Sequence, residues 1–272
     1  DRERCHADDP ERTPGRAQPP ARGSPSRGCL PRAGLTVLVL GIETATETLS
    51  VALVDEGGLR AERTLRARRA LGWLVPAIGG MLRDAGLRPE DVEGVAVSTG
   101  PGSFTGLRVG IATAVGWAQA RSVPACGVST LQALAAACGG ASLVVPVVDA
   151  KRGEISAGLF KREGETCRPL TEEVTSVPEA VIGRLRELGV EEPTLVGDGL
   201  QRYGPLLRRA FPRAHVAPRV LWTPRAATVA ALGRERLLRS GGEPLQAIQP
   251  RYGRAATFQP PAWLAAQHGA GE

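Results

Sequence analysis

Three short segments carry the residues with the most chemical potential. The first is the turn Glu43-Thr44-Ala45-Thr46-Glu47-Thr48, set between two apolar runs. Its successive N–H groups and threonine hydroxyls suit a phosphate, and its carboxylates suit a water-bridged Mg²⁺. A solvated hairpin turn accounts for the same residues. The second is Gly100-Pro101-Gly102-Ser103-Phe104-Thr105-Gly106-Leu107-Arg108-Val109-Gly110. Gly100, Gly102 and Gly106 free the backbone to approach an anion at a helix N-terminus. Neither a P-loop Gly-Lys-Ser/Thr nor dinucleotide glycine spacing is present. Gly106 and Gly110, four apart, share one helix face and equally suit close helix packing. The third is Asp149-Ala150-Lys151-Arg152-Gly153-Glu154, which again sets a carboxylate at a strand end. A charged hairpin turn is its plain alternative.

Other chemistries find little support. There is no nucleophile elbow and no H-E-x-x-H, and Ser103 has no histidine near it in sequence. Cysteines at 5, 29, 126, 138 and 167 form no C-x-x-C, and His6, His215 and His268 are scattered. A disulfide framework, a zinc site or any bound metal is therefore not expected, and a reducing cytoplasm is the expected location.

The elements that must position these segments follow from periodicity. Leu35–Ile42 is a continuous apolar run, Leu49–Asp55 a second strand and Leu59–Leu65 a third, joined by tight turns. Leu71, Leu74, Val75, Ile78, Met81, Leu82 and Ala85 keep helical spacing, while Gly72 and Trp73 fall off that stripe. A strand over 94–98 leads into the glycine loop and an apolar helix over 107–120. A strand over 125–128 follows, then a helix capped by Ser129 and running to about Cys138. Gly139-Gly140 marks a boundary between halves. The second half opens with strands over 143–148 and 155–160. Helices are expected over 179–188, 203–210 and 226–238, with a strand over 194–196 and Thr223 capping the last helix. Both halves begin strand, turn, strand and later alternate helix with strand. That echo suggests a duplicated α/β lobe with a cleft between copies.

The 272 residues suffice for one or two domains. Apolar residues at 42% and charged residues at 23% are ordinary for a soluble fold, and no apolar run reaches a membrane span. Aromatics at 4% argue against a broad base-stacking platform. The net charge of +6 suits nucleic acid. However, only Lys151 and Lys161 are lysines and asparagine is absent, a bias that coding-sequence composition explains without a partner. Residues 1–34, rich in Arg, Pro, Gly and Ser, read as a disordered leader or a mis-assigned extension. Lobes are expected over 35–138 and 139–254, and a flexible tail over 255–272.

In order along the chain, LGIETATETLSVALVD, GPGSFTGLRVG, VSTLQALA, VVDAKRGEISAGLF and Pro250-Arg251-Tyr252-Gly253-Arg254 resemble the TsaB family of bacterial tRNA threonylcarbamoyladenosine biosynthesis. The likeness spans about Leu38 to Arg254. It implies an actin-like, sugar-kinase-like (ASKHA) α/β fold of two lobes, each opening with a strand meander. It also implies a non-catalytic subunit that pairs with a TsaD-like enzyme, alongside a TsaE-like ATPase and a threonylcarbamoyl-AMP synthase. The product is threonylcarbamoyladenosine (t6A) at position 37 of ANN-decoding tRNAs, with tRNA contacted indirectly and a homodimer when alone. The catalytic paralogue carries an H-x-x-x-H metal site where this chain has Thr130 and Leu134. Glu43 replaces the family's common Asp, and Ala70 a common His. The resemblance places the pairing surface on the 70–85 and 106–120 helices, here Leu74, Ile78, Val109, Gly110, Thr113, Gly116 and Trp117. Glu43, Thr44, Thr46, Gly100, Gly102, Ser103, Gly106 and Asp149 become a vestigial phosphate loop. No cofactor of its own is expected, with ATP or ADP at a subunit interface. Two alternatives stand beside it. One is an active ATPase or phosphotransferase using Glu43 and Asp149 on Mg²⁺; the other, a metallopeptidase, lacks the histidine pair.

Overall fold

A computed structural model describes residues 37–66, 70–164 and 166–253. The expected leader over 1–34, the start of order at Leu35, Arg254 and the tail over 255–272 lie outside these residues. The first half runs β1 (Val39–Glu43), β2 (Thr48–Asp55), β3 (Gly58–Arg66), α1 (Leu74–Asp84), β4 (Gly94–Gly100), α2 (Phe104–Arg121), β5 (Ala125–Ser129) and α3 (Thr130–Ala136). The second runs β6 (Leu143–Lys151), β7 (Glu154–Ala157), β8 (Phe160–Glu163), β9 (Thr166–Pro169), β10 (Val174–Ser176), α4 (Pro178–Glu187), β11 (Thr194–Val196), α5 (Leu200–Ala210), β12 (His215–Val216) and α6 (Ala226–Ser240).

The two sheets repeat one topology. The first has the order β3-β2-β1-β4-β5 and the second β10-β7-β6-β11-β12. In each, a meander of three antiparallel strands is extended by two parallel strands beyond the first. This is the expected actin-like, sugar-kinase-like fold. The strand expected over 155–160 divides, because the long β6 pairs β8 at Leu143–Val144 and β7 at Val147–Lys151. The β8–β9 hairpin is thus an insertion between the second and third meander strands.

Helices cover both faces of each sheet. Alternation along residues 37–42, into and through β1, sends Leu38, Leu40 and Ile42 toward α1 and α2, and Val37 and Val39 toward α6. Packing crosses the 138/139 boundary. Although α6 lies in the second half of the chain, Val229, Ala230, Leu232 and Leu237 pack on the first sheet. Conversely, Leu131 and Leu134 of α3 pack with Val144, Val148 and Phe160 of the second. Each half closes its sheet with the last helix of the other. Small residues permit this approach: a Cβ on Gly41 would lie 2.3 Å from the Ala226 carbonyl oxygen.

The start of α6 also departs from expectation. Its N-cap is Arg225, not Thr223, and no side chain of its own caps it. The Ala226 N–H instead donates to the Ser50 hydroxyl at 2.9 Å, and the Ala227 N–H to the Glu62 carboxylate at 3.3 Å. The free donors of a helix end are satisfied from another layer. Helix α1 begins at Leu74, after a 3₁₀ turn, and Val75 of the expected buried stripe is exposed.

Candidate functional site

The glycine loop and the Glu43–Thr48 turn meet, but they meet each other. Ser129 caps α3 as expected, and Ser103 caps α2 by accepting the Gly106 N–H at 3.2 Å. The Thr44 hydroxyl donates to the Gly106 carbonyl at 2.8 Å, and the Ser103 N–H donates to the Ala45 carbonyl at 2.7 Å. A Cβ on Gly102, Gly106 or Gly110 would lie 2.4, 2.0 or 2.1 Å from an oxygen of Ala45 or Thr44. The glycines make a notch, and the 44–45 turn fills it. Backbone atoms here bond within the protein, in the place where a phosphate cradle needs free donors.

Glu43 is fully buried. One carboxylate oxygen accepts the Ala45 N–H at 2.6 Å, and the other has no hydrogen-bond partner. Burial pushes its carboxyl up to about 7, opposed by the Ala45 N–H and the Ser98 hydroxyl. Thr46 receives the Thr48 N–H on its hydroxyl at 3.3 Å, an ordinary turn contact. Asp149 belongs to the matching turn of the second lobe. Its carboxylate accepts the Lys151 N–H at 2.9 Å and pairs with the Lys151 ammonium at 3.1 Å. Asp198 accepts the Asp149 N–H at 3.1 Å, and burial raises its carboxyl. The charge of Asp149 is therefore met by a lysine of its own turn, while Glu43 has one oxygen bonded to its own backbone and the other buried without a partner. Neither arrangement resembles a carboxylate pair presented to a shared ion. Among the described residues, no group of three His, Cys, Asp or Glu side chains could hold a metal ion.

A groove of about 650 Å³ opens between the glycine loop and the second lobe, lined in part by Pro101, Glu173, Thr175, Arg251 and Tyr252. Arg251 and Tyr252 cross it. The Arg251 N–H donates to the Thr99 carbonyl at 2.6 Å. The Tyr252 ring stacks on Phe104 at 5.0 Å, and its hydroxyl accepts from Arg108 at 3.1 Å. The sequence order gave no hint that this late motif meets the glycine loop; only their shared place in the resemblance linked them.

The expected pairing residues divide. Leu74 and Ile78 are core residues, 1% and 0% exposed, packed with α2 side chains beneath the sheet. Gly110 is buried against Thr44, so its open face is intramolecular. Val109 and Trp117 are half-buried on the same core, and the Thr113 hydroxyl turns back to the Val109 carbonyl at 2.8 Å. Gly116 alone of the set is exposed, with nothing near its missing Cβ. The exposed large apolar residues near these helices are Trp73 at 64% and Val75 at 61%, at the start of α1; others lie elsewhere, Val220 at 76% among them. The position of Trp73 off the apolar stripe was the available signal. Ala112, Gly116 and Ala120, each four residues from the next, give α2 an outward stripe of small residues.

Comparison with known proteins agrees with this architecture. Residues 48–240 match the family described as "TsaD: tRNA N6-adenosine threonylcarbamoyltransferase". The tRNA threonylcarbamoyladenosine biosynthesis protein TsaB of Escherichia coli is 36% identical over 172 residues, 62% of this chain and 74% of that one. Its namesake in Haemophilus influenzae is 30% identical over 190 residues, 66% and 79% of the two chains. The chain belongs to the TsaB family. YeaZ from Pseudomonas aeruginosa has the same fold, with a TM-score of 0.67 at 25% identity, over 79% of this chain and 99% of that one. A second structure, described as similar to peptidase YEAZ from that organism, gives 0.69 at 27% identity, over 80% and 99%. Thr130 and Leu134, which the resemblance set against a histidine pair, lie in α3. Both are fully buried, and Leu134 packs with Val144, Val148 and Phe160 of the second sheet.

Proposed function

We propose that the chain is a non-catalytic subunit of a t6A-forming complex and pairs with a TsaD-like enzyme through the outward face of α1 and α2. A role in t6A biosynthesis comes with the family. The observations that carry the finer reading are the exposure of Trp73 and Val75 at the start of α1 and the outward small-residue stripe of α2. A large ring and a branched side chain facing water favour a partner, and Ala and Gly let another helix approach closely. The self-filled glycine notch and the internally paired Asp149 support the absence of chemistry in this chain. It works without a cofactor or metal of its own, and any nucleotide belongs to the subunit interface. No helix of the described residues is long and apolar enough to cross a membrane. A cytoplasmic location follows from the proposed partners, which act on tRNA.

The test is reconstitution with a TsaD-like subunit, a TsaE-like ATPase, a threonylcarbamoyl-AMP synthase and an ANN-decoding tRNA. Omitting this chain should abolish t6A formation, while Glu43→Gln and Ser103→Ala should leave it within a few-fold. A loss of ~10²–10⁴ for Glu43→Gln, the scale of a removed acid–base group, with the complex intact would favour the ATPase reading.

A further inference from the structure

The positive charge is not spread evenly. Residues 199–234 contain seven arginines, at 202, 208, 209, 213, 219, 225 and 234, and no Asp or Glu. This segment alone carries more than the whole chain's net +6. Coding-sequence bias can turn lysines into arginines throughout a chain. It does not clear carboxylates from 36 consecutive residues.

The fold places much of this charge on one layer. Helices α4 and α5 cover one face of the second sheet, burying Val181, Ile182 and Leu185 with Leu200, Leu207 and Phe211. Within α5, Arg202 and Arg209 are seven apart and lie opposite the buried stripe of Leu200, Gly204 and Leu207. Arg186 of α4 donates to the Ala210 carbonyl at 2.9 Å, which joins its charge to the end of α5. Arg202, Arg208, Arg209 and Arg219 are exposed. Among the described residues, none of these four, nor Arg186, forms an ion pair with a carboxylate. Glu191 and Glu192 are held by Arg213, which leaves Glu179 and Glu187 as the α4 carboxylates. Three guanidinium groups rest near aromatic rings: Arg186 at 5.9 Å from Phe211, Arg202 at 5.4 Å from Tyr203 and Arg219 at 6.0 Å from Trp222. Such contacts hold the planar fork in place and lower the entropy cost of engaging an anion.

The internal duplication sharpens the point. Helices α4 and α5 occupy the same topological positions in the second lobe as α1 and α2 in the first. One layer turns Trp73, Val75 and small residues outward; the other exposes Arg184, Arg186, Arg202, Arg208 and Arg209 against two carboxylates, Glu179 and Glu187. We propose that the α4–α5 layer, with Arg202, Arg208 and Arg209, together with Arg219 in the 3₁₀ turn that follows β12, binds the phosphate backbone of an RNA. It would hold the tRNA substrate while the α1–α2 layer holds the enzyme. Guanidinium forks without carboxylate partners fit phosphodiesters directly. The assignment of tRNA as the RNA rests on the function proposed above.

The experiment uses the reconstituted complex. Arg202, Arg208, Arg209 and Arg219 are changed together to Gln, and in a second variant together to Lys. Binding of an ANN-decoding tRNA is followed across salt concentrations. The Gln variant should bind about tenfold or more weakly. Its salt slope should be shallower by about 0.7–0.9 for each lost phosphate contact. The Lys variant should recover part of the affinity. Association with the TsaD-like subunit and the melting temperature should be unchanged in both. Unchanged tRNA affinity and slope in the Gln variant would overturn the proposal. So would equal loss of binding to anionic lipid vesicles or polyglutamate with tRNA binding intact, since the surface would then serve a different polyanion. If the unaltered complex forms no t6A, the functional reading fails separately, and the tRNA-binding comparison still decides this one.

Discussion

The Thr44 hydroxyl donates to the Gly106 carbonyl at 2.8 Å and lies 2.1 Å from where a Gly110 Cβ would sit. Two glycines one helical turn apart therefore accommodate a single threonine from another strand end. The loop that looks built for an anion is a socket for the protein's own backbone.

Replacing Gly110 should damage the fold before it damages any interface. Gly110→Ala forces Thr44 to move, and overpacking costs about 1–3 kcal/mol. Pairing it with Thr44→Ala should recover part of the loss, since the crowding hydroxyl is removed. Urea denaturation of the four-member cycle measures the coupling. Additive effects would show that the two residues do not share the socket.

Leu74 and Trp73 are neighbours in sequence with opposite roles. Leu74→Ala or Ile78→Ala should cost about 2–5 kcal/mol of stability, as core truncations do. Trp73→Arg with Val75→Asp should leave the melting temperature nearly unchanged and weaken pairing with the TsaD-like subunit. A loss of about 1.4 kcal/mol there is already tenfold in Kd. Calorimetry of the isolated chain and titration with the partner separate the two classes.

Stability should fall as pH rises from about 4.5 to about 7, in part because of Glu43. Its folded carboxyl titrates near 7 and its ordinary value is 4.5. Below 4.5 both states are protonated and no penalty exists. Through the window the unfolded chain ionises while the folded one holds its proton, and above 7 the full penalty, on the order of 3 kcal/mol, remains. Glu173 and Asp198 are raised in the same direction and add to the slope. Glu43→Gln keeps an acceptor for the Ala45 N–H and cannot ionise. Its stability relative to wild type should therefore improve as pH rises through that window. A constant difference across pH 4–8 would remove Glu43 from the account.

The start of α6 depends on a residue 176 positions earlier. Ser50→Ala removes the acceptor for the Ala226 N–H inside the protein. The expected loss is about 0.5–2 kcal/mol, as for a deleted helix cap. Thr223→Ala should change much less, because Thr223 makes no cap. Hydrogen exchange at the first turn of α6 should rise in the first variant and not in the second.

Much of this was legible from residue order alone. Alternating and continuous apolar runs located the first meander, because strands buried on both faces must be apolar throughout. The repeated strand-turn-strand opening announced two lobes, and Ser129 announced the start of α3. The turns at Glu43 and Asp149 were visible as well, since tight connections select small and polar residues. Decisions that depend on facing partners were not legible. Helical spacing marks an apolar stripe but cannot tell Leu74, which meets the sheet, from Val75, which meets water. Glycine spacing reports that something approaches closely; only the fold reveals that the visitor is Thr44 rather than a phosphate. Chain order likewise cannot say which sheet α3 and α6 cover, because a helix packs where an uncovered apolar face lies, and each half offers that face to the other.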